Sequence, residues 1–346
     1  MEKKIIEYVW LDGYNPEPNL RSKTKIIEHI LEHPKLMDIP LWSYDGSSTK
    51  QAEGHFSDCV LKPVKLYNDP TRGNNCYIAL CEVLNPDGSP HISNHRTLIK
   101  ENQAFSDNRN WWFGFEQEYV LIDNNTNLPL GFQDIQTQDP QGKYYCGVGS
   151  KQVNGRYIVE EHMNVCLASD LDITGINAEV LFGQWEFQLL GKGAKNACDD
   201  LWVARYLLER ISEKYNVSVD YQPKPLKGDW NGSGMHTNFS SYKMRTVGGK
   251  EYFEKIFKAL EENHKEHIAV YGSNNEERLT GKHETCSINQ FRVGVSDRGA
   301  SIRIPPSVNE TWKGYLEDRR PSANANPYQI VKRIIDTITN GNRWDC

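Results

Sequence analysis

Apolar and polar residues change their spacing along the chain in a way that separates two parts. Up to residue 85, short apolar runs alternate with turn residues: Tyr8-Val9-Trp10-Leu11, Leu41-Trp42-Ser43-Tyr44 and Tyr77-Ile78-Ala79-Leu80-Cys81-Glu82-Val83. Such runs predict strands. Asn85-Pro86-Asp87-Gly88-Ser89-Pro90 then packs two prolines and a glycine into six residues and predicts a turn or linker. Beyond it, strands and helices interleave. Trp111 to Leu121 predicts a strand. Tyr157 to Leu167 carries Ile158, Val159, Met163, Cys166 and Leu167 at helical spacing. Asp199-Asp200 reads as the opening of a helix whose apolar side is Leu201, Ala204, Leu207, Leu208 and Ile211, with the acidic pair suited to the positive end of the helix dipole. Tyr252 to Val270 and Tyr328 to Ile338 predict further amphipathic helices. The class expected is α+β, with a small sheet-rich domain over 1–85 and a larger domain over 86–346. No internal repeat or low-complexity tract interrupts either part.

Composition narrows the class of function. The chain has 346 residues, 38% hydrophobic and 25% charged, enough apolar material for a packed core. The net charge of −6 is scattered in sign, without the basic stripe of a nucleic-acid binder. No apolar run approaches the ~18 residues of a membrane span. The start, Met1-Glu2-Lys3-Lys4-Ile5, lacks the apolar core of a secretory signal. Eight cysteines without a CxxC pair resemble neither a disulfide framework nor a zinc ribbon. The expectation is a soluble, cytoplasmic globular protein that binds neither nucleic acid nor membrane.

Chemistry concentrates in four segments. In Trp111-Trp112-Phe113-Gly114-Phe115-Glu116-Gln117-Glu118-Tyr119-Val120, strand alternation turns Glu116 and Glu118 to one side and Phe115 and Tyr119 to the other. A cation removes the repulsion of such a pair; a solvent-facing sheet edge is the competing reading. In Asn177 to Gln188, a turn near Gly183 separates two strand-like pieces, and a hairpin there brings Glu179 and Glu186 to one face. The third, Gly228 to Ser240, joins glycines that permit close backbone approach to polar residues including His236. The fourth, Arg278 to Arg320, places Arg278, Arg298, Arg303, Arg319 and Arg320 near turns and strand ends, where guanidinium groups capture carboxylate and phosphate. Arg298 and Arg303 are five apart, so they serve one site only if the chain bends, with Gly299 the natural hinge. Neither GxxxxGK[ST] nor a dinucleotide GxGxxG is present. A nucleotide bound here is therefore held by metals and arginines.

Taken in order, Tyr44-Asp45-Gly46-Ser47-Ser48-Thr49, the Phe115–Tyr119 glutamate pair, Tyr144-Tyr145-Cys146-Gly147-Val148-Gly149, Asn177–Gln188, Asn231–Ser240, Arg278–Thr285, Ala300–Pro305 and Gly314–Asn324 resemble glutamine synthetase, in its eukaryotic-like type II branch. The resemblance implies a small β-grasp N-terminal domain followed by a large catalytic α+β domain. It also implies ATP-dependent ligation of ammonia to glutamate through γ-glutamyl phosphate, and rings of subunits forming a decamer of two pentamers. By matching positions, Glu118, Glu179 and Glu186 hold one divalent metal and Glu116, His236 and Glu317 a second, Mg²⁺ or Mn²⁺. Arg298, Arg303 and Arg319 match arginines near the transferring phosphate and substrate carboxylate. Arg278, Asn231 and Gly232 match the glutamate site. Trp112, Asn238, Ser240, Arg245 and Tyr315 fall on the nucleotide side, where Trp112 and Tyr315 read equally as packing residues. Asp45 matches the ammonium-binding carboxylate supplied by the adjacent subunit, and Glu284 the flap glutamate that closes over the intermediate.

One departure stands out: Leu189-Leu190-Gly191-Lys192-Gly193-Ala194-Lys195 lacks the Gly-Pro the family carries there, which bears on nucleotide contacts. Two rival readings share the resemblance. One is a γ-glutamyl ligase for larger amines, against which Asp45 and Glu284 both speak. The other is an inactive structural relative, which is expected to have lost carboxylates this chain retains.

Overall fold

The computed structural model describes residues 3–28, 33–100 and 110–341; Met1, Glu2 and Cys346 lie outside them. The first part is a five-stranded sheet of β1 (Lys4–Leu11), β2 (Leu20–Ile27), β3 (Trp42–Asp45), β4 (Asp58–Asn68) and β5 (Cys76–Leu84), in the order β2-β1-β5-β4-β3. β1 and β5 run parallel; the other pairs are antiparallel. Alternation along β1 sends Ile6, Tyr8 and Trp10 into a core with Tyr44, Leu61 and Val83. Val9, on the opposite face, joins Ile78 and Leu80 in the main core of the molecule. This sheet is thus covered on both sides, one of them by the rest of the chain. Asn85–Pro90 forms a turn closed by the Asn85 and Ser89 backbones at 2.8 Å.

The second part is organised on a nine-stranded sheet. Its members are β6 (Trp112–Asp123), β7 (Leu128–Pro129), β8 (Ile173–Ala178), β9 (Gln184–Lys192), β10 (Val217–Asp220), β11 (Met235–Ser240), β12 (Val293–Val295), β13 (Ile302–Ile304) and β14 (Leu316–Asp318). The order is β12-β13-β14-β11-β6-β9-β8, with β7 and β10 also paired to β6. Phe113, Phe115, Tyr119 and Leu121 of β6 enter the core with apolar residues of α1 (Arg156–Ala168), α2 (Ala194–Glu213), α3 (Lys250–Glu262) and α5 (Pro327–Gly341). These helices cover one face of the sheet, leaving the other to the polar residues of β6, β9, β11 and β14.

Three expectations shift. Asp199 and Asp200 do not open a helix; α2 begins five residues earlier, at Ala194, and both carboxylates are buried in its second turn. Asp199 takes Arg96 in a fork at 2.9 and 3.1 Å and the Tyr328 hydroxyl at 2.6 Å. Asp200 takes Lys65 at 2.5 Å and the Tyr67 hydroxyl at 2.7 Å, both from β4. The pair ties the two sheets together, a role that helix periodicity does not announce. In α1 the buried face is Ile158, Val159, His162 and Cys166, whereas Leu167 stays half exposed. The predicted Tyr252–Val270 helix breaks at Asn263 into α3 and α4 (His264–Ile268), with Asn263 capping back onto the Ala259 carbonyl.

Candidate functional site

The polar face is assembled by strand registry. Glu116 of β6 lies opposite His236 of β11 on one side and Gln188 of β9 on the other; Glu118 lies opposite Glu186. Asn177 of β8 is registered with Glu186, and the Gly183 turn brings Glu179 alongside through a Glu179 N–H bond to the Gln184 carbonyl at 2.9 Å. On the far side Glu317 of β14 sits between Asn238 of β11 and Arg303 of β13. Five carboxylates and an imidazole therefore share one surface, though they come from positions 200 residues apart in the chain.

Like charges directly opposed on a sheet are destabilising. At an effective dielectric of ~20, two carboxylates ~4 Å apart repel by about 4 kcal/mol. The consequence is visible in the acidities. Burial raises Glu118, with Glu116 adding to it against the pull of Arg278 and the Gly234 N–H. Burial and then Glu118 raise Glu179. Burial, then Glu116, Glu118 and Glu179 raise Glu186. Hydrogen bonding relieves only part of the strain: Glu118 accepts from Gly234 N at 2.8 Å and Gln184 Nε2 at 3.2 Å, Glu179 from Asn177 at 2.9 Å and Val180 N at 3.1 Å, and Glu186 from Gln188 at 2.8 Å.

The arginines occupy one end of this face. Glu317 is nearly enclosed, with Arg319 Nη1 on one oxygen at 2.5 Å and Arg303 Nη1 on the other at 2.7 Å. Arg278 donates to His236 Nε2 at 3.0 Å and to the Arg319 carbonyl at 3.2 Å. Burial and the neighbouring Arg319 hold His236 neutral, so with Nε2 accepting, the ring proton sits on Nδ1, 3.3 Å from Glu116. Arg278 reaches this place because Gly234 has no side chain: a Cβ there meets the guanidinium at 2.3 Å. Between Arg298 and Arg303 the chain turns at Asp297–Ala300, closed by Gly299 N on Asp297 at 2.8 Å. The Arg298 carbonyl accepts from Arg319 Nε at 2.9 Å, and its charge is felt by His236.

Two sets of donor atoms lie within 4.8 Å of one another: Glu116, His236 and Glu317, and Glu118, Glu186 and His236. The first is the expected second triad. In the other, His236 stands where Glu179 was expected, and the Glu179 oxygens turn toward Asn177 and Val180 instead. A crowded, half-neutralised set of hard oxygen donors with one imidazole suits a divalent cation.

Beside the acidic face lies a cleft of about 430 Å³ lined by Trp112, Glu116, Asn238, Ser240, Arg245 and Tyr315, together with Thr174, Gln188, Leu189 and Leu190. Arg245 stacks 4.0 Å over the Trp112 ring, is anchored on Ser240 at 2.8 Å, and has Lys192 as its counterpart at 5.2 Å from the same ring. β9 runs through Leu190, which lines this cleft.

Known proteins match the chain over nearly its whole length. The family model "Glutamine synthetase, beta-Grasp domain" matches residues 2–86 and "Glutamine synthetase, catalytic domain" matches residues 96–341. The chain belongs to the glutamine synthetase family. Relatives named glutamine synthetase include one from Bradyrhizobium diazoefficiens, 54% identical over 98% of this chain and 97% of its own. One from Eremothecium gossypii is 48% identical over 96% and 89%, and a chloroplastic one from Chlamydomonas reinhardtii is 45% identical over 97% and 90%. The solved glutamine synthetase of Plasmodium falciparum matches with a TM-score of 0.77 at 16% identity, over 99% of this chain and 73% of that one, a likeness of fold. The glutamine synthetase domain pair accounts for both sheets: the five-stranded one is the β-grasp and the nine-stranded one the catalytic scaffold.

Four residues expected at the site are not among the carboxylates that strand registry brings together. Asp45 is exposed at the end of β3, its oxygens taken by Ser47 N at 3.0 Å, Ser47 Oγ at 2.6 Å and Ser48 Oγ at 2.9 Å, bonds that hold its carboxyl below the usual carboxylate range. Glu284 is exposed in a left-handed loop residue (φ 60°) close enough to Glu179 to raise it. Asn231 is bonded to Gln141 at 3.2 Å, while Gly232 passes its carbonyl to Gln184 at 3.0 Å. Gln184 itself escaped the sequence reading. It lies two residues before Glu186 on the same face of β9, and that alternation is the signal that marks it. Among the described residues no helix is long and apolar enough to cross a membrane.

Proposed function

We propose that the chain ligates ammonia to L-glutamate at the expense of ATP, releasing L-glutamine, ADP and phosphate by way of γ-glutamyl phosphate. The observation that carries the reading is the opposition of Glu118 to Glu186, with Glu116 two residues along, on a face where the arginine ion pairs among the described residues fall on Glu317. Such a surface is stable as a holder of cations. Glu118, Glu179 and Glu186 would hold one divalent ion, and Glu116, His236 and Glu317 another, Mg²⁺ by preference for oxygen donors and Mn²⁺ tolerated through the imidazole. When bound, such ions neutralise phosphate charge as the γ-phosphoryl group transfers.

The chain's own groups supply the rest. Arg303 and Arg319, already held at Glu317, orient the phosphoryl and carboxylate oxygens with Arg298, and Arg278 with Asn231 and Gly232 receives glutamate. Trp112, Arg245, Ser240, Asn238 and Tyr315 bind the nucleoside in the adjoining cleft, with Glu116 on its phosphate side. Asp45, presented by a neighbouring subunit of a ring, accepts a proton from ammonium, and Glu284 closes over the acyl phosphate to exclude water. A decamer of two pentamers and a cytoplasmic location complete the reading, and the β-grasp boundary is placed at residue 85.

The test is a coupled assay of purified protein with glutamate, ammonium, ATP and Mg²⁺. Glutamine and phosphate are expected in equal amounts, with both lost on chelation. Turnover with polyamines in place of ammonium would replace ammonia ligation by the larger-amine reading, and ATP cleavage without glutamine would reject both.

A further inference from the structure

Strand β14 and the two arginines that follow it carry two kinds of side chain. Glu317 and Arg319 face the acidic cleft, while Asp318 and Arg320 alternate to the interior, 0% and 1% exposed. Behind the strand these two form a closed ion pair: Arg320 Nε on Asp318 Oδ1 at 2.9 Å and Arg320 Nη2 on Oδ2 at 2.7 Å, with the Arg320 N–H also on Oδ1 at 3.1 Å. The pair is continued by three further buried groups. Tyr271 Oη is 2.6 Å from Asp318 Oδ2 and 2.5 Å from His267 Nδ1, and His267 Nε2 is 2.8 Å from Thr337 Oγ1 on α5.

The direction of this chain follows from its end. Asp318, paired with Arg320, is an acceptor, so Tyr271 donates to it. Having spent its only proton, Tyr271 accepts from His267 Nδ1–H. Burial holds the imidazole neutral, so Nε2 accepts from the Thr337 hydroxyl. Every member has one consistent role, and α5 is thereby connected to the back of β14. The same strand end is pinned from the side by Asn275 Nδ2 on the Arg320 carbonyl at 2.8 Å, and it offers the Arg319 and Arg320 carbonyls to Arg278.

We propose that Thr337, His267, Tyr271 and Asp318 form a positioning array that fixes the cleft-facing side of β14, and through it Glu317, Arg319 and Arg278, for the metal and the amino-acid substrate. None of the four touches substrate. Apart from Gly314 and Tyr315, which precede β14, and Arg245, the nucleotide cleft is lined from β6, β8, β9 and β11, so the array acts mainly on the metal and glutamate half of the site.

The inference rests on the reaction proposed above, and the experiment separates the two. Wild type is assayed first, so that its turnover alone decides the reaction. Tyr271→Phe, Thr337→Val and Thr337→Ser are then compared for glutamate KM, ATP KM, and Mn²⁺ binding followed by electron paramagnetic resonance without substrates. Breaking two buried hydrogen bonds in Tyr271→Phe, or one in Thr337→Val, is expected to raise the glutamate KM and the Mn²⁺ dissociation constant roughly 3- to 10-fold. ATP KM is expected to stay within about twofold, and Thr337→Ser, which keeps the hydroxyl, to behave as wild type. Equal changes in both substrates, or no change in Mn²⁺ binding, would overturn the array. So would a Thr337→Ser variant as impaired as Thr337→Val. If Tyr271→Phe fails to fold, the valine–serine contrast at the far end carries the test.

Discussion

Glu186 is a carboxylate that the fold keeps under strain, facing Glu118 across the strands and raised by burial and by Glu116, Glu118 and Glu179. Glu186→Gln is therefore expected to raise the melting temperature of metal-free protein. It is expected to abolish the further rise that Mg²⁺ gives the wild type and to lower turnover at least ~100-fold; thermal scans with and without chelator check both halves. A second strained carboxyl lies outside the site. Glu209 of α2 has no hydrogen bond or ion pair among the described residues, and burial, with Glu213 nearby, pushes it up to about 7 from 4.5. Its folded pKa is raised, so the folded chain holds a proton that the unfolded chain has released. Stability is highest below the unfolded value and falls as pH climbs through about 7. Glu209→Gln is expected to stabilise more at pH ~8 than at pH ~5; equal melting shifts at both would contradict it. At this scale the sequence was informative where alternation is simple. Glu116 and Glu118 share a face because they are two apart. By contrast, the contact of Arg278 with His236 depends on an absent side chain at Gly234 and on two loops meeting, which no local pattern encodes.

Elements were legible in proportion to their regularity. The apolar side of α2, Leu201 through Ile211, is buried as its spacing predicts. Its start was not, because Ala194-Lys195-Asn196 follows Gly193 without a capping side chain, whereas Asp199-Asp200 imitates a helix opening. What those two carboxylates do depends on partners from β4, from Arg96 and from α5. Removing such a buried acceptor leaves the Arg96 guanidinium, among the described residues, only its longer contact with Glu82 at 3.8 Å. Asp199→Ala is expected to cost at least about 2 kcal/mol, read as a lower urea midpoint. Arg96→Ala, which removes the other partner, is expected to be less harmful when combined with it than the two separate losses added together.

At the level of the whole molecule, a sheet-rich first part, a mixed second part and the turn at Asn85–Pro90 follow from strand runs and punctuation, whereas β2, β4 and most strands of the second sheet do not; the family segments lie in sequence order along both parts. The single chain leaves Asp45 on an exposed edge rather than at its own acidic face. If a neighbour's cleft receives it, two crippled chains complement each other. Asp45→Asn and Glu118→Ala subunits, each inactive, are expected to regain up to roughly a quarter of wild-type turnover when dissociated and reassembled as a mixture, since clefts with both partners intact then arise by chance. No recovery in mixed assemblies confirmed by mass would count against sharing.

The Asp45 carboxylate also arrives already oriented, both oxygens gripped by the serines that follow it. A group locked before contact has little freedom left to lose on docking. Turnover after dilution and reconcentration should then track the mass of the assembly without a lag, the last catalytic piece being delivered finished.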